Sequence, residues 1–133
     1  MQEKKKKILM AKLGLDGHDT GVKILCQVFR NSGFEVIYAG LRQTAEQVVI
    51  AAMDEDVDVI GVSSLSGAHM YHIPKAIDML KKYNVDIPII VGGTIPIDDA
   101  EELKKLGIAE IYPTGADISK AIEFIRKLPD RRV

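Results

Sequence analysis

One short segment, Gly14-Leu15-Asp16-Gly17-His18-Asp19-Thr20-Gly21, gathers an imidazole, two carboxylates and three glycines within eight residues. Asp16 stands two positions before His18. A carboxylate beside an imidazole accepts the Nδ1 proton, fixes the tautomer and leaves Nε2 free for a metal or a proton. The glycines let the backbone approach something bulky. Taken alone, His18 reads equally as a surface or structural histidine, and Asp16 as an Asx-turn residue. The segment does not match G-x-G-x-x-G, so the dinucleotide fingerprint is absent.

Two further clusters combine small residues with hydroxyls: Ser63-Ser64-Leu65-Ser66-Gly67-Ala68-His69 and Gly92-Gly93-Thr94. Small residues side by side at strand ends leave a slot between sheet and helix, and the hydroxyls can bond a polar ligand group. Tight-turn chemistry alone accounts for the glycines equally well. His69 and His72 sit close together, yet no cysteine or convincing carboxylate completes a zinc set with them. His72 is expected to be mostly exposed, and His69 reads equally as a helix-start polar residue. Cys26 falls on an apolar helical stripe as inert core, and Met10, Met53, Met70 and Met79 read as packing.

The elements that must position these loops follow from hydrophobic periodicity. Apolar, β-branched runs at Ile8–Leu13, Glu35–Ala39, Val57–Ser63, Ile87–Val91 and Glu110–Tyr112 have the near-continuous character of strands buried on both faces. Between them Val22, Leu25, Cys26 and Phe29 keep helical spacing, as do the sets from Ala45 to Ala52, Ile73 to Leu80 and Ile118 to Ile125. A less regular helix spans 97–106. Thr44 with Gln47, and Asp98 with Glu101, read as capping boxes. Gly33, Asn84 and Gly107 stand where helices should end. Five alternating units predict an α/β domain of flavodoxin-like (Rossmann-like) fold, with helices on both sides of a five-stranded parallel sheet of order 2-1-3-4-5. Ligands of such sheets bind beyond the carboxyl ends of the strands at the switch point, which is where the three clusters fall.

The composition narrows the function classes. The 133 residues fit one domain, with 1–7 a basic lead-in, 8–128 the domain and 129–133 a solvated tail. Eighteen basic against 19 acidic residues give no electrostatic reason for a nucleic-acid or anionic-membrane partner. The single cysteine excludes an intramolecular disulfide and points to a reducing, cytoplasmic setting. The apolar run after Lys4–Lys7 is broken at Lys12, Gly14 and Asp16, too early for a signal peptide. Nothing approaches the roughly 20 apolar residues of a membrane helix.

Asp16-Gly17-His18-Asp19-Thr20-Gly21 resembles the D-x-H-x-x-G motif of cobalamin-binding domains, Ser63-Ser64-Leu65 their S-x-L element and Gly92-Gly93 their G-G element. All three occur in order and in the matching loops, and the likeness covers the chain after its lysine lead-in. The wording of these loops, with Thr94-Ile95-Pro96 and Glu110-Ile111-Tyr112, is most similar to the acyl-CoA mutases, methylmalonyl-CoA mutase above all. In that group the domain is either the C-terminal part of a long chain or a small subunit, and the resemblance implies the latter here.

The resemblance implies adenosylcobalamin as cofactor, bound base-off with His18 as lower cobalt ligand and Asp16 holding the imidazole. The displaced tail would enter a slot beside Ser63, Leu65, Gly92 and Gly93, with Thr94, Tyr112, Thr114 and Gly115 at its deeper end or rim. The corrin would rest on the loop from Gly14 through Gly17 and Asp19 to Gly21. The acyl-CoA substrate would bind a separate barrel-shaped large subunit, so the chain would be one part of an isomerase and carry no complete catalytic set itself. Which acyl group is rearranged is not written in these residues. Alternatives are the small subunit of a glutamate-mutase-type enzyme and a non-enzymatic cobalamin carrier or sensor. Corrinoid methyl-transfer proteins usually add a helical domain for which the chain has no room. A receiver domain would need an aspartate where Ser63 and Ser64 stand and a lysine near Tyr112-Pro113-Thr114. A flavodoxin would meet Asp16 and Asp19 where a phosphate should sit.

Overall fold

Strand β1, Lys7–Leu13, is the axis of the sheet, because it pairs in parallel with both β2, Glu35–Gln43, and β3, Val59–Ser64. Strand β4, Ile89–Gly93, continues beside β3, and β5, Glu110–Pro113, closes the far edge. The resulting order is β2-β1-β3-β4-β5, as the alternation of elements predicts. The computed structural model describes residues 5–13, 20–64, 69–113 and 116–129. Five helices connect the strands: α1, Thr20–Asn31; α2, Ala45–Asp54; α3, His69–Lys82; α4, Ile97–Leu106; and α5, Ile118–Arg126.

The strands are apolar on both faces because each face has its own helical cover. Leu9, Ala11, Ile60, Val62, Ile89 and Val91 pack on one side with Val48 and Val49 of α2, Ile73 and Ile77 of α3 and Leu103 of α4. Ile8, Met10, Val59 and Ile90 face the other side, against Val22, Cys26 and Phe29 of α1 and Ala121 and Ile125 of α5. Odd and even strand positions thus serve different cores, which is the period of two expected of a pleated strand. The α1/α5 layer is tied at its far end by Arg126, whose Nη2 donates to the Ser32 carbonyl at 2.9 Å, and by Arg30, whose Nη2 donates to the Val36 carbonyl at 3.2 Å.

Helix limits follow local chemistry. The capping box at α2 is present: Thr44 Oγ1 accepts the Gln47 N–H at 3.0 Å, and Gln47 Oε1 accepts the Thr44 N–H at 2.9 Å. Gly33, Asn84 and Gly107 have positive φ values of 97°, 56° and 124°, as residues just past helix ends do. The expected Asp98–Glu101 box is absent. The chain enters α4 from Pro96 in extended geometry without a side-chain cap, so Asp98 and Asp99 lie inside the first turn, where their charge meets the helix dipole.

Strand β1 begins one residue before the expected boundary, at Lys7. There the Lys7 N–H donates to the buried Asp58 carboxylate at 2.7 Å, and the Asp58 N–H donates to the Lys7 carbonyl at 2.8 Å. This exchange pins the amino ends of β1 and β3, at the opposite end of the sheet from the loops that carry the chemistry.

Candidate functional site

At the carboxyl end of the sheet, between the strands and the α1/α5 layer, lies a cavity of about 300 Å³. That volume is at the small end of ordinary ligand pockets. Strand register orders its walls by depth. The deep level is Met10, Gly61 and Ile90, which are register partners across β1, β3 and β4. Two residues onward on the same face come Lys12, Ser63, Gly92 and Tyr112, of which Ser63 pairs with Gly92 and Gly92 with Tyr112. Helix α1 contributes Val22, Leu25 and Phe29, and α5 contributes Ile118 and Ala121.

The cavity exists because small residues stand where strand side chains would fill it. A Cβ at Gly61 would meet the Met10 sulfur at 2.5 Å, so the Met10 thioether occupies the space over the glycine. At Gly92 a Cβ would meet only the Tyr112 carbonyl, at 3.6 Å. Gly93 has a φ of 126°, which an L side chain rarely adopts, and it turns the chain away as β4 ends.

The mouth is polar where the floor is apolar. Lys12 is wholly buried, with 0% of its surface exposed, and lines the cavity as Ser63 does. The Tyr112 phenol is pushed above its usual range by burial and by the Glu110 carboxylate, so it remains a neutral hydroxyl donor at physiological pH. Asp117 stands at the rim as the N-cap of α5, accepting the Ser119 N–H at 3.0 Å; that backbone bond, with the serine hydroxyl, holds its carboxyl below the usual range.

Of the residues expected to bind a cofactor, Gly21, Ser63, Gly92, Gly93 and Tyr112 all line this cavity. Thr94 is exposed beyond the end of β4 and is not part of the wall. Asp16, Gly17, His18, Asp19, Leu65, Thr114 and Gly115 lie outside the described residues. The chain that contains His18 nevertheless leaves and re-enters the described structure at the cavity, since Lys12 and Gly21 both line it.

His72 is half-buried rather than mostly exposed: its ring meets Tyr71 edge-on at 4.8 Å, and burial, with the Lys75 charge, lowers its pKa. Cys26 is buried in the α1 core, and burial pushes its thiol up, consistent with an inert side chain. Met10, Gly61 and Lys12 are among the wall residues that sequence reasoning missed. Met10 read as packing, Gly61 as an ordinary strand residue and Lys12 as a break in an apolar run. The available signal was Lys12 itself, a charge inside a strand that is covered on both faces, because a buried ammonium needs a polar neighbourhood.

The cavity is an apolar slot with a polar mouth and glycines at the strand ends. Comparisons with known proteins place the chain in a family. The family described as "B12 binding domain" matches residues 6–123. The chain is 43% identical over 123 residues to the 2-hydroxyisobutanoyl-CoA mutase small subunit of Aquincola tertiaricarbonis, covering 92% of this chain and 90% of that protein. It is 44% identical over 126 residues to the methylmalonyl-CoA mutase large subunit of Propionibacterium freudenreichii subsp. shermanii, covering 92% of this chain but only 17% of that one. A cobalamin-binding protein from Desulfitobacterium hafniense DCB-2 superposes with a TM-score of 0.78 at 25% identity, covering 92% of this chain and 60% of that chain. The chain belongs to the B12-binding domain family, among the cobalamin-binding modules of acyl-CoA mutases.

Proposed function

We propose that the protein is the cofactor-binding small subunit of an adenosylcobalamin-dependent acyl-CoA mutase, holding the cofactor base-off with its tail in the cavity and His18 as the lower cobalt ligand. The observation that carries this reading is the placement of the cavity: Lys12 and Gly21, which flank the Asp16–His18 segment on either side, both stand in its wall. A tail seated there would leave the Asp16–His18 segment, which joins the two wall residues, to hold the cobalt.

When bound, the cofactor supplies radical chemistry through homolysis of its cobalt–carbon bond. The chain's own part is binding and orientation. The apolar floor takes the tail base, while Lys12, Ser63 and Tyr112 offer donors to the polar part of the tail at the mouth. Gly92 and Gly93 would let the tail lie against the backbone, and the resemblance assigns Leu65, Thr114 and Gly115 to the same slot. In this reading Asp16 would hold the Nδ1 proton of His18 and leave Nε2 as the nitrogen available to the metal. Gly17 and Asp19 belong to the segment that the resemblance assigns to holding the corrin.

The substrate site belongs to a large subunit, in keeping with the small-subunit name of the Aquincola relative. Three acyl groups, 2-hydroxyisobutanoyl, methylmalonyl and ethylmalonyl, appear among the relatives' names, and the partner decides among them.

The test is a cobalamin titration followed by visible spectrum, with His18→Ala in parallel. Wild type should bind with the spectral change of a protein imidazole replacing the tail base, and His18→Ala should lose that change. An unchanged spectrum in His18→Ala refutes the ligand assignment. A large subunit retained on the immobilised protein, and acyl-CoA rearrangement by the reconstituted pair, test the mutase reading against a carrier or sensor.

A further inference from the structure

Of the six large apolar or aromatic side chains exposed among the described residues, four stand together on the side of the sheet away from the cavity. They are Ile50 at 42% and Met53 at 37% on α2, Tyr71 at 60% on α3, and Tyr83 at 43% just past the end of α3. Single exposed apolar residues are ordinary, whereas a group of them marks a contact surface. Helices α2 and α3 pack side by side over one core and run in the same direction, because each joins two parallel strands. Glu46, Ile50 and Met53 recur at i, i+4, i+7 on the exposed side of α2, next to Asp54; Tyr71, Lys75, Asp78 and Lys82 recur in the same way on α3. The two ridges differ in charge. Helix α2 begins at Glu46 and ends at Asp54 and Glu55, with no basic residue along it. Helix α3 presents Lys75, Lys81 and Lys82, with Asp78 as its one acid. Glu46, Asp54, Lys81 and Lys82 make no ion pair among the described residues. Asp54 and Glu55 also stand at the negative end of the α2 dipole, where a cation is stabilising and a carboxylate is not.

We propose that the α2/α3 face is a self-complementary surface that pairs two copies of this chain. Charge fixes the arrangement. A twofold axis parallel to the helices lays α2 of each copy on α3 of the other. Glu46 then faces the Tyr71–Lys75 end of the second copy's α3, and Asp54 with Glu55 faces its Lys82. Ile50, Met53 and Tyr71 lie between these charges and leave water. Asp78 falls between the lysine positions and opposes the uncharged middle of α2. An axis across the helices would instead set α2 on α2, acid against acid. The cations that the end of α2 lacks are therefore supplied by the second copy, and the symmetry makes each contact twice. Because this axis also runs along the strands, the carboxyl ends of both sheets point the same way. The cavity lies under the α1/α5 layer, so both cavities stay open and face one side of the pair. The pairing is independent of what the cavity holds.

Analytical ultracentrifugation of the full chain alone, over a dilution series, reads the monomer–dimer equilibrium. Wild type should pass from monomer to dimer as its concentration rises, and salt should weaken the dimer severalfold between about 0.05 and 0.5 M, because exposed charges are screened. Met53→Asp should weaken it by about tenfold or more. Should that variant melt early, Ile50→Glu, at the more exposed position, is read in the same way. Lys82→Glu and Asp54→Lys should each weaken the dimer on the order of tenfold, since the axis repeats the pair. Combining Asp54→Lys with Lys82→Glu should bring the Kd back to within about threefold of wild type. A chain that stays monomeric at every concentration overturns the proposal, and a monomer whose Met53→Asp variant loses capture by a mutase large subunit gives the face to that subunit instead. A dimer indifferent to Met53→Asp and Lys82→Glu overturns the choice of face. Single variants that dissociate the dimer, with no recovery in the double variant, overturn the laying of α2 on α3.

Discussion

Replacing Gly61 by alanine separates the cavity from the fold that contains it. The new methyl would lie 2.5 Å from the Met10 sulfur and 3.4 Å from its terminal carbon, with Ile90 at 3.9 Å. The first overlap must be relieved, but the opposing group is the far end of a flexible side chain that faces about 300 Å³ of open space. Met10 therefore rotates into the cavity. Overpacking a core costs about 1–3 kcal/mol, and the lower value applies where an adjacent void absorbs the displacement. At about 4 °C per kcal/mol for a chain of this size, Gly61→Ala should melt roughly 4 °C below wild type. The methyl and the displaced thioether together occupy the floor, so cobalamin affinity should fall by about tenfold or more, while cobinamide binding stays unchanged. Melting curves and spectral titrations on the same preparations read both quantities. Cobalamin affinity equal to wild type would refute the assignment of this cavity to the tail. A stability loss above about 3 kcal/mol would refute the relaxation through Met10.

Two further perturbations probe the opposite end of the sheet and the rim. Asp58→Ala removes the buried acceptor of the Lys7 N–H, 2.7 Å away at the start of β1. It should cost about 2–3 kcal/mol in denaturant unfolding with cobalamin affinity unchanged; a matched loss of affinity in the folded protein would show that the two ends of the sheet are coupled. Asp117→Asn keeps the cap of α5 but removes its charge. Because the folded carboxyl titrates below its unfolded value, its contribution is present above about pH 3.9 and is lost as the pH falls through the folded value. Wild type and variant should therefore differ in melting temperature above pH 4 and converge below it, and a constant offset from pH 2.5 to 5 would contradict the charged cap.

Sequence patterning carried most of the architecture because burial on two faces leaves a strong trace. The runs around Ile8, Val59 and Ile89 are apolar at both odd and even positions, which only a strand covered on both sides requires. The helical stripes from Val22, Ala45 and Ile73 each land on the core that their spacing indicates. Helix starts were harder to read. Asp98 and Glu101 have the right spacing for a capping box, yet Pro96 takes the chain into α4 earlier, since its fixed φ suits helix entry. The rim of the site was legible for a different reason: glycines and serines at the ends of β3 and β4 are poor strand fillers, so their presence points to space or a ligand.

The floor was not legible, because its chemistry depends on register. Met10 and Gly61 are 51 positions apart in the chain, and nothing in either local pattern says that one lies over the other. Only the parallel pairing of β1 with β3 converts an unremarkable glycine into the space that a thioether occupies. The same pairing places Lys12 one pleat above Met10 and so divides one continuous strand face into an apolar floor and a polar mouth. A one-residue slip of β1 would send both side chains to the opposite core and abolish the gradient. The exchange between Lys7 and Asp58 joins the amino ends of the same two strands, while the continuous pairing of Ile8 through Ala11 with Val59 through Val62 sets the depth order by itself.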